Sequence, residues 1–172
     1  MKETGGIRLE SILEAATEAL QRIADSKSVA RNLRDVFPSP YTLADAVDFL
    51  ENVRQGKMGI VYGIFRDLEE LVGVISLTPG RDVNRYSAEV GYFVGEQYWN
   101  KGYATEALKL IPNLAQSKHG LKRLYATVFD FNRASMRVLE KAGFTKEGIL
   151  KSSAFKDGKF IDEHLYGLVL GE

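Results

Sequence analysis

Apolar residues change period several times along the chain, and each change marks an element. After a short extended piece around Ile7 to Leu9, Ile12, Ala15, Ala16, Ala19, Leu20 and Ile23 recur at helical spacing, with Ser11 placed to cap them. The segment 32–41 (NLRDVFPSPY) holds two of the four prolines and reads as a shaped loop, since each proline restricts the residue before it. Thr42 and Asp45 stand at capping-box distance before a second helix whose Ala46, Phe49, Leu50 and Val53 share one face. The period then drops to that of strands: 58–65 and 71–77, turned by the polar run 66–70, and next 87–94 (SAEVGYFV).

A turn-like run, 95–100, leads into a helix from about Lys101, striped by Ala104, Ala107, Leu108, Ile111, Leu114 and Ala115. Pro112 lies inside that stripe and predicts a kink or an early end, because proline in a regular helix costs ~3 kcal/mol. Gly120 reads as the stop. A strand over 123–129 follows, then a helix over 132–142 ended at Gly143, then strands over 144–155 and 160–170. Asp157-Gly158 between the last two favours a type I′ hairpin. Strands that alternate with helices and close in a hairpin predict a mixed α/β domain, with a central antiparallel run and parallel pairing after the long helix. With no repeat or linker-like stretch, residues 1–172 read as one domain.

Composition narrows the classes. A chain of 172 residues, 45% hydrophobic and 27% charged, is an ordinary globular domain. Zero cysteine excludes a disulfide framework, a thiolate zinc site and a cysteine nucleophile, and fits a reducing compartment. Two histidines, His119 and His164, are too few for a histidine metal cluster, so no metal is expected. The balance of 23 basic and 23 acidic residues gives no general pull toward nucleic acid or an anionic membrane. The apolar run 71–77 is far too short to span a bilayer, and MKETGG lacks the apolar core of a signal peptide. The expectation is a soluble, cytoplasmic protein.

The most informative stretch is 98–108 (YWNKGYATEAL), between a strand and a helix. First-turn N–H groups there lack internal partners, and with the helix dipole they form a ready anion site. Gly102 permits close backbone approach, Ala104 keeps the surface low, and Lys101 adds charge; the alternative is a turn that simply starts a helix. Neither a P-loop, a dinucleotide fingerprint nor a nucleophile elbow occurs, so any anion here uses another cradle.

This stretch resembles the pyrophosphate loop of the GNAT acetyltransferases, in the branch similar to the ribosomal-protein N-terminal acetyltransferases RimJ and RimL. The family's Gln/Arg-x-x-Gly-x-Gly/Ala falls on Trp99, Asn100, Lys101, Gly102, Tyr103 and Ala104. Trp99 replaces the Gln/Arg, and Asn100 stands where a second glycine is usual. Three more stretches match in order: 30–42 (ARNLRDVFPSPYT), 128–144 (VFDFNRASMRVLEKAGF) and 155–168 (FKDGKFIDEHLYGL). The resemblance implies a GNAT fold, with a mostly antiparallel sheet of about seven strands splayed at the cofactor site and flanked by about four helices.

It also implies roles. Acetyl-CoA is the cosubstrate, held between strands 86–94 and 123–129. Backbone groups of Phe93 and Val94 bond its pantetheine arm, one N–H of that strand polarises the thioester oxygen, and the loop from Trp99 to Thr105 takes the pyrophosphate. Asn132 contacts the pantetheine, caps its own helix, or does both. Asn32, Leu33, Phe37 and Tyr41 belong to a wall of the acceptor site. Glu89 is either the base that deprotonates the amine or a solvated or salt-bridged strand residue. Asp162 and Glu163 are outside candidates. Ser135 either donates to the departing sulfur or bonds a carbonyl of its own helix. His119 reads as a partner of its helix dipole and His164 as a plain strand residue. The implied activity is acetyl transfer to a primary amine, either a protein N-terminal α-amine or a small amine, by direct attack. The alternative is a non-catalytic acyl-CoA sensor or interaction module on the same fold. The expected partners are the amine acceptor and, at most, a second copy of the chain, as monomer or homodimer.

Overall fold

A computed structural model describes residues 6–15, 17–67 and 69–171; Ala16 of the first helical pattern, Leu68 of the expected turn and most of MKETGG lie outside the described residues. Seven strands form one sheet: β1 (Ile7–Ser11), β2 (Ile60–Arg66), β3 (Glu70–Pro79), β4 (Ser87–Val94), β5 (Arg123–Phe129), β6 (Thr145–Lys156) and β7 (Lys159–Val169). Their order is β1-β2-β3-β4-β5-β7-β6. Pairing is antiparallel for β1–β2, β2–β3, β5–β7 and β6–β7, and parallel for β4 with β5 over Ser87–Glu89 against Arg123–Tyr125. Among the described residues five helices accompany the sheet: α1 (Thr17–Ala24), α2 (Lys27–Arg31), α3 (Leu43–Arg54), α4 (Tyr103–His119) and α5 (Arg133–Lys141). This is the expected mixed α/β sheet, with one helix more than the periodicity shows.

The chain gathers into two compact units, residues 1–78 with 91–107, and residues 79–90 with 108–172. In the first, α1 packs on α3, and Ile12, Leu20, Ile23, Ala46, Ile64, Val72 and Ile75 are fully buried or nearly so. The capping box of α3 is complete: Asp45 N–H donates to Thr42 Oγ1 at 3.2 Å, and Thr42 N–H donates to Asp45 Oδ2 at 2.7 Å. In the second unit, Leu124, Ala126 and Val128 of β5 are buried together with Met136 and Leu139 of α5 and Tyr166 of β7. Tyr166 donates its hydroxyl to Glu140 Oε1 at 3.0 Å, which ties β7 to α5.

Four expectations shift. Ser11 caps a single 3-10 turn (Ile12–Glu14), and an extended Ala15 (φ −80°, ψ 141°) separates it from α1. Its hydroxyl reaches only to the Leu13 N–H at 3.3 Å, which suits one tight turn rather than an α-helix. The short helix α2, capped by Ser26 on the Val29 N–H at 3.2 Å, lies where no period was visible. Strand β2 starts at Ile60, because Gly59 sits at φ +71° and an added Cβ would meet the Leu77 carbonyl oxygen at 2.5 Å. Pro112 does not end its helix: α4 runs 17 residues through it, with Leu108, Ile111 and Ala115 fully buried around it. Burial of that stripe outweighs the local cost of proline. Gly120 (φ +65°) ends the helix as expected. Asp157 (φ 51°) and Gly158 (φ 80°) both take the left-handed geometry of a type I′ turn.

Candidate functional site

In the first unit, β4 ends in a loop whose shape is set by its backbone. Gly95 N–H bonds to the Val72 carbonyl of β3 at 2.9 Å, and a 3-10 turn (Glu96–Tyr98) follows. Asn100 (φ 60°) and Gly102 (φ 85°) take left-handed geometry on either side of Lys101. The first helical bond of α4 runs from the Glu106 N–H to the Gly102 carbonyl at 3.0 Å, so the N–H groups of Tyr103, Ala104 and Thr105 have no acceptor within the helix. An added Cβ at Gly102 would meet no protein atom within 4 Å; its dihedral is the local demand for glycine, and that side of the backbone is open. Lys101 places Nζ 5.5 Å over the Tyr98 ring. Left-handed residues beside Lys101, then three outward N–H groups at a helix start, make a cradle that fits an anion.

Trp99 closes the end of β4. Its indole Nε1–H donates to the Val94 carbonyl at 2.7 Å. Backbone groups alternate along a strand, so the Gly95 bond to Val72 turns Phe93 toward β3 as well, and turns those of Tyr92 and Val94 to the opposite edge. The Phe93 side chain does something else: its ring meets Phe37 edge-on at 5.4 Å, and Phe37 lies 5.1 Å from Tyr41. Burial, then the Asp45 charge, push the Tyr41 phenol up to about 12, so it stays protonated at neutral pH. Asn32 spends its side-chain Nδ2 on the Ser28 carbonyl at 3.2 Å as α2 ends, and Leu33 is half-buried beside it in sequence. The structure therefore brings Phe37 and Tyr41 together with Phe93, and leaves Asn32 serving its own helix.

In the second unit, Glu89 is half-buried on β4 opposite Tyr125, and Thr127 Oγ1 donates to its Oε1 at 3.2 Å. Asn132 caps α5, accepting the Ser135 N–H on Oδ1 at 3.2 Å, and this cap leaves its Nδ2 donors unused. Ser135 is the third residue of α5, half-buried in the first turn rather than in mid-helix.

Asp162 accepts from Lys151 Nζ and from the Ser152 N–H at 2.8 Å each. Glu163 is buried opposite Phe129 and accepts from Ser153 Oγ at 2.8 Å. His164 is buried between Val128 and Ile149, and its Nδ1 has no hydrogen-bond partner. Burial, then the Lys146 and Arg133 charges, hold its pKa below the usual histidine value, so the ring is neutral at pH 7. His119 lies exposed in the last turn of α4.

Comparison with known proteins decides the family. Residues 7–145 match the model of the acetyltransferase (GNAT) domain. The chain belongs to the GNAT acetyltransferases. An uncharacterized N-acetyltransferase of Bacillus subtilis, YoaA, is 31% identical over 171 residues, covering 97% of this chain and 95% of that protein. The ribosomal-protein-serine acetyltransferase of Escherichia coli is 33% identical over 111 residues, 64% of this chain and 60% of that one. The solved structure of RimL, the ribosomal L7/L12 alpha-N-protein acetyltransferase in complex with coenzyme A, superposes with a TM-score of 0.83 at 20% identity, covering 99% and 97% of the two chains. That last likeness carries the fold.

As a GNAT acetyltransferase the chain is an enzyme of acetyl transfer. Among the described residues no helix is long and apolar enough to cross a membrane. Sequence reasoning missed Arg66, Glu70 and Tyr98, which touch or flank the loop through side chains distant in the chain. Only the i, i+4 charge pair Arg66–Glu70 was visible, and such pairs are common on any surface.

Proposed function

We propose that this GNAT acetyltransferase moves acetyl from acetyl-CoA to the α-amine of a protein N-terminus by direct attack, as one domain acting in the cytoplasm. The carrying observation is the cradle: Asn100 and Gly102 in left-handed geometry ahead of three first-turn N–H groups with no acceptor within the helix. Those groups and Lys101 would take the pyrophosphate. The pantetheine contacts fall to Tyr92 and Val94, since Phe93 turns its backbone to β3, and the Asn132 Nδ2 donors would add to them. One outward N–H of β4 would polarise the thioester oxygen.

Glu89, oriented by Thr127, would accept the amine proton, and Ser135 would donate to the departing sulfur. An α-amine has a pKa of about 7.7–8.0 against about 10.4 for lysine, so one carboxylate meets a modest demand. The aromatic wall of Phe37, Tyr41 and Phe93 suits the first side chain of a peptide better than a polycation. The ribosomal-protein-serine acetyltransferase among the relatives supports a protein acceptor.

The test is release of free CoA thiol with peptides of varied first residue beside small polyamines. Turnover on peptides is expected. Turnover on polyamines alone would move the acceptor class, and tight CoA binding without turnover on any amine would make the chain a sensor.

A further inference from the structure

Two tyrosines bracket the loop, and one ion pair holds both. Tyr98, buried at the end of the 3-10 turn, donates its hydroxyl to Glu70 Oε1. Tyr103, the first residue of α4, accepts on its hydroxyl from Arg66 Nη1 at 3.2 Å. Arg66 Nε completes the circuit on Glu70 Oε2 at 2.5 Å. The guanidinium carbon lies 5.1 Å from the centre of the Tyr98 ring, and the two tyrosine rings meet edge-on at 6.4 Å. Arg66 closes β2 and Glu70 opens β3, so the pair belongs to the turn between those strands.

The Arg66 bond, then the Tyr98 hydroxyl, hold the Glu70 carboxyl below the usual glutamate pKa. Burial, then Glu70 itself, raise the Tyr98 phenol. Glutamate is therefore charged and tyrosine neutral at working pH. The two charged side chains are 29% and 34% exposed, and an ion pair that accessible contributes little to stability by itself. Its distinguishing feature is what it grips. The four residues between the tyrosines include both left-handed positions, Asn100 and Gly102, a geometry that persists when the ends are fixed.

We propose that the Arg66–Glu70 pair positions the phosphate loop, pinning Tyr98 before it and Tyr103 after it so that its N–H groups are ordered before the cofactor arrives. This rests on the reading that the loop takes the pyrophosphate. A loop ordered in advance does not charge its ordering entropy against binding, so the benefit appears in affinity for phosphate-bearing ligands. It does not extend to the thioester arm.

The experiment compares Tyr98→Phe, Glu70→Gln and the double variant, measuring Kd for CoA by calorimetry and steady-state kinetics with acetyl-CoA and with acetyl-pantetheine, which has the thioester arm and no phosphates. Each single variant should weaken CoA binding about tenfold, the scale of one charge-assisted hydrogen bond. The double variant should lose no more than the weaker single, because both cut one circuit. KM for acetyl-CoA should rise while kcat at saturation holds, and kinetics with acetyl-pantetheine should match wild type. Unchanged CoA affinity in both single variants would overturn the proposal, and so would equal losses with acetyl-CoA and acetyl-pantetheine. If Glu70→Gln fails to fold, Tyr98→Phe, which keeps the buried ring, decides alone. Failure of the underlying reading looks different: wild type itself would then prefer CoA over pantetheine by nothing.

Discussion

The loop from Trp99 to Thr105 and the pair Glu89 and Ser135 are built by different means. The loop works through backbone: two left-handed residues and the first N–H groups of α4 make the cradle, so Trp99 can replace the family's Gln/Arg without dismantling it. Its indole even takes a new task, satisfying the Val94 carbonyl. In the roles proposed for them, Glu89 and Ser135 would work through side chains on regular elements, where the backbone of β4 or α5 would be the same with other residues in place. A backbone-made site tolerates side-chain change and fails when its dihedrals fail. A side-chain-made site does the reverse.

That contrast can be broken by experiment. The largest effect is expected from Gly102→Asp, which forces a side chain into φ +85° and sets a negative charge beside the cradle; CoA affinity should fall by at least ~10²-fold by calorimetry. Ser135→Ala should leave CoA affinity near wild type and cut turnover by ~10²-fold, the range of a positioned proton donor. Turnover within a factor of about two of wild type would assign the hydroxyl to structure and turn attention to Tyr166. Glu89→Gln should lower kcat about tenfold at neutral pH, with partial recovery as pH approaches the amine pKa; a wild-type pH profile would remove it as the base. Smallest is Lys101→Ala: with the backbone cradle intact, CoA binding should weaken only about threefold, the value of one exposed charge near a helix start. A loss as large as that of Gly102→Asp would contradict a backbone-made site.

The same distinction explains what could be read from the sequence. Thr42 with Asp45, and Asp157 with Gly158, act within four residues, so their cap and turn were legible. The loop was legible because its glycine and helix start are contiguous. The first helix was misjudged because a 3-10 turn and an α-helix share apolar spacing over one turn, and only Ala15's dihedrals separate them. Five residues of α2 are too few to show a period. Of the two outcomes Pro112 offers, a kink or an early end, the early end does not occur, because local cost is readable in the sequence and the burial of Leu108, Ile111 and Ala115 is not. The bracket of Arg66, Glu70, Tyr98 and Tyr103 joins residues up to 37 positions apart, and no local pattern encodes that meeting. Phe93 was assigned by its backbone, whereas strand alternation turns that backbone to β3 and gives its ring to Phe37.

Trp99 is the only tryptophan in the chain, and its indole N–H is bonded to the last carbonyl of β4. Excited at the red edge of the absorption band, where the eight tyrosines absorb little, the protein therefore emits from one indole beside the cradle. That emission reports the surroundings of the Trp99 indole, its bond to the Val94 carbonyl among them. A titration with unlabelled CoA should shift or quench this emission along a single-site curve, while Trp99→Phe should go dark. The residue that departs from the family signature thus gives this enzyme an optical readout of the loop proposed to hold its cofactor, with no dye attached.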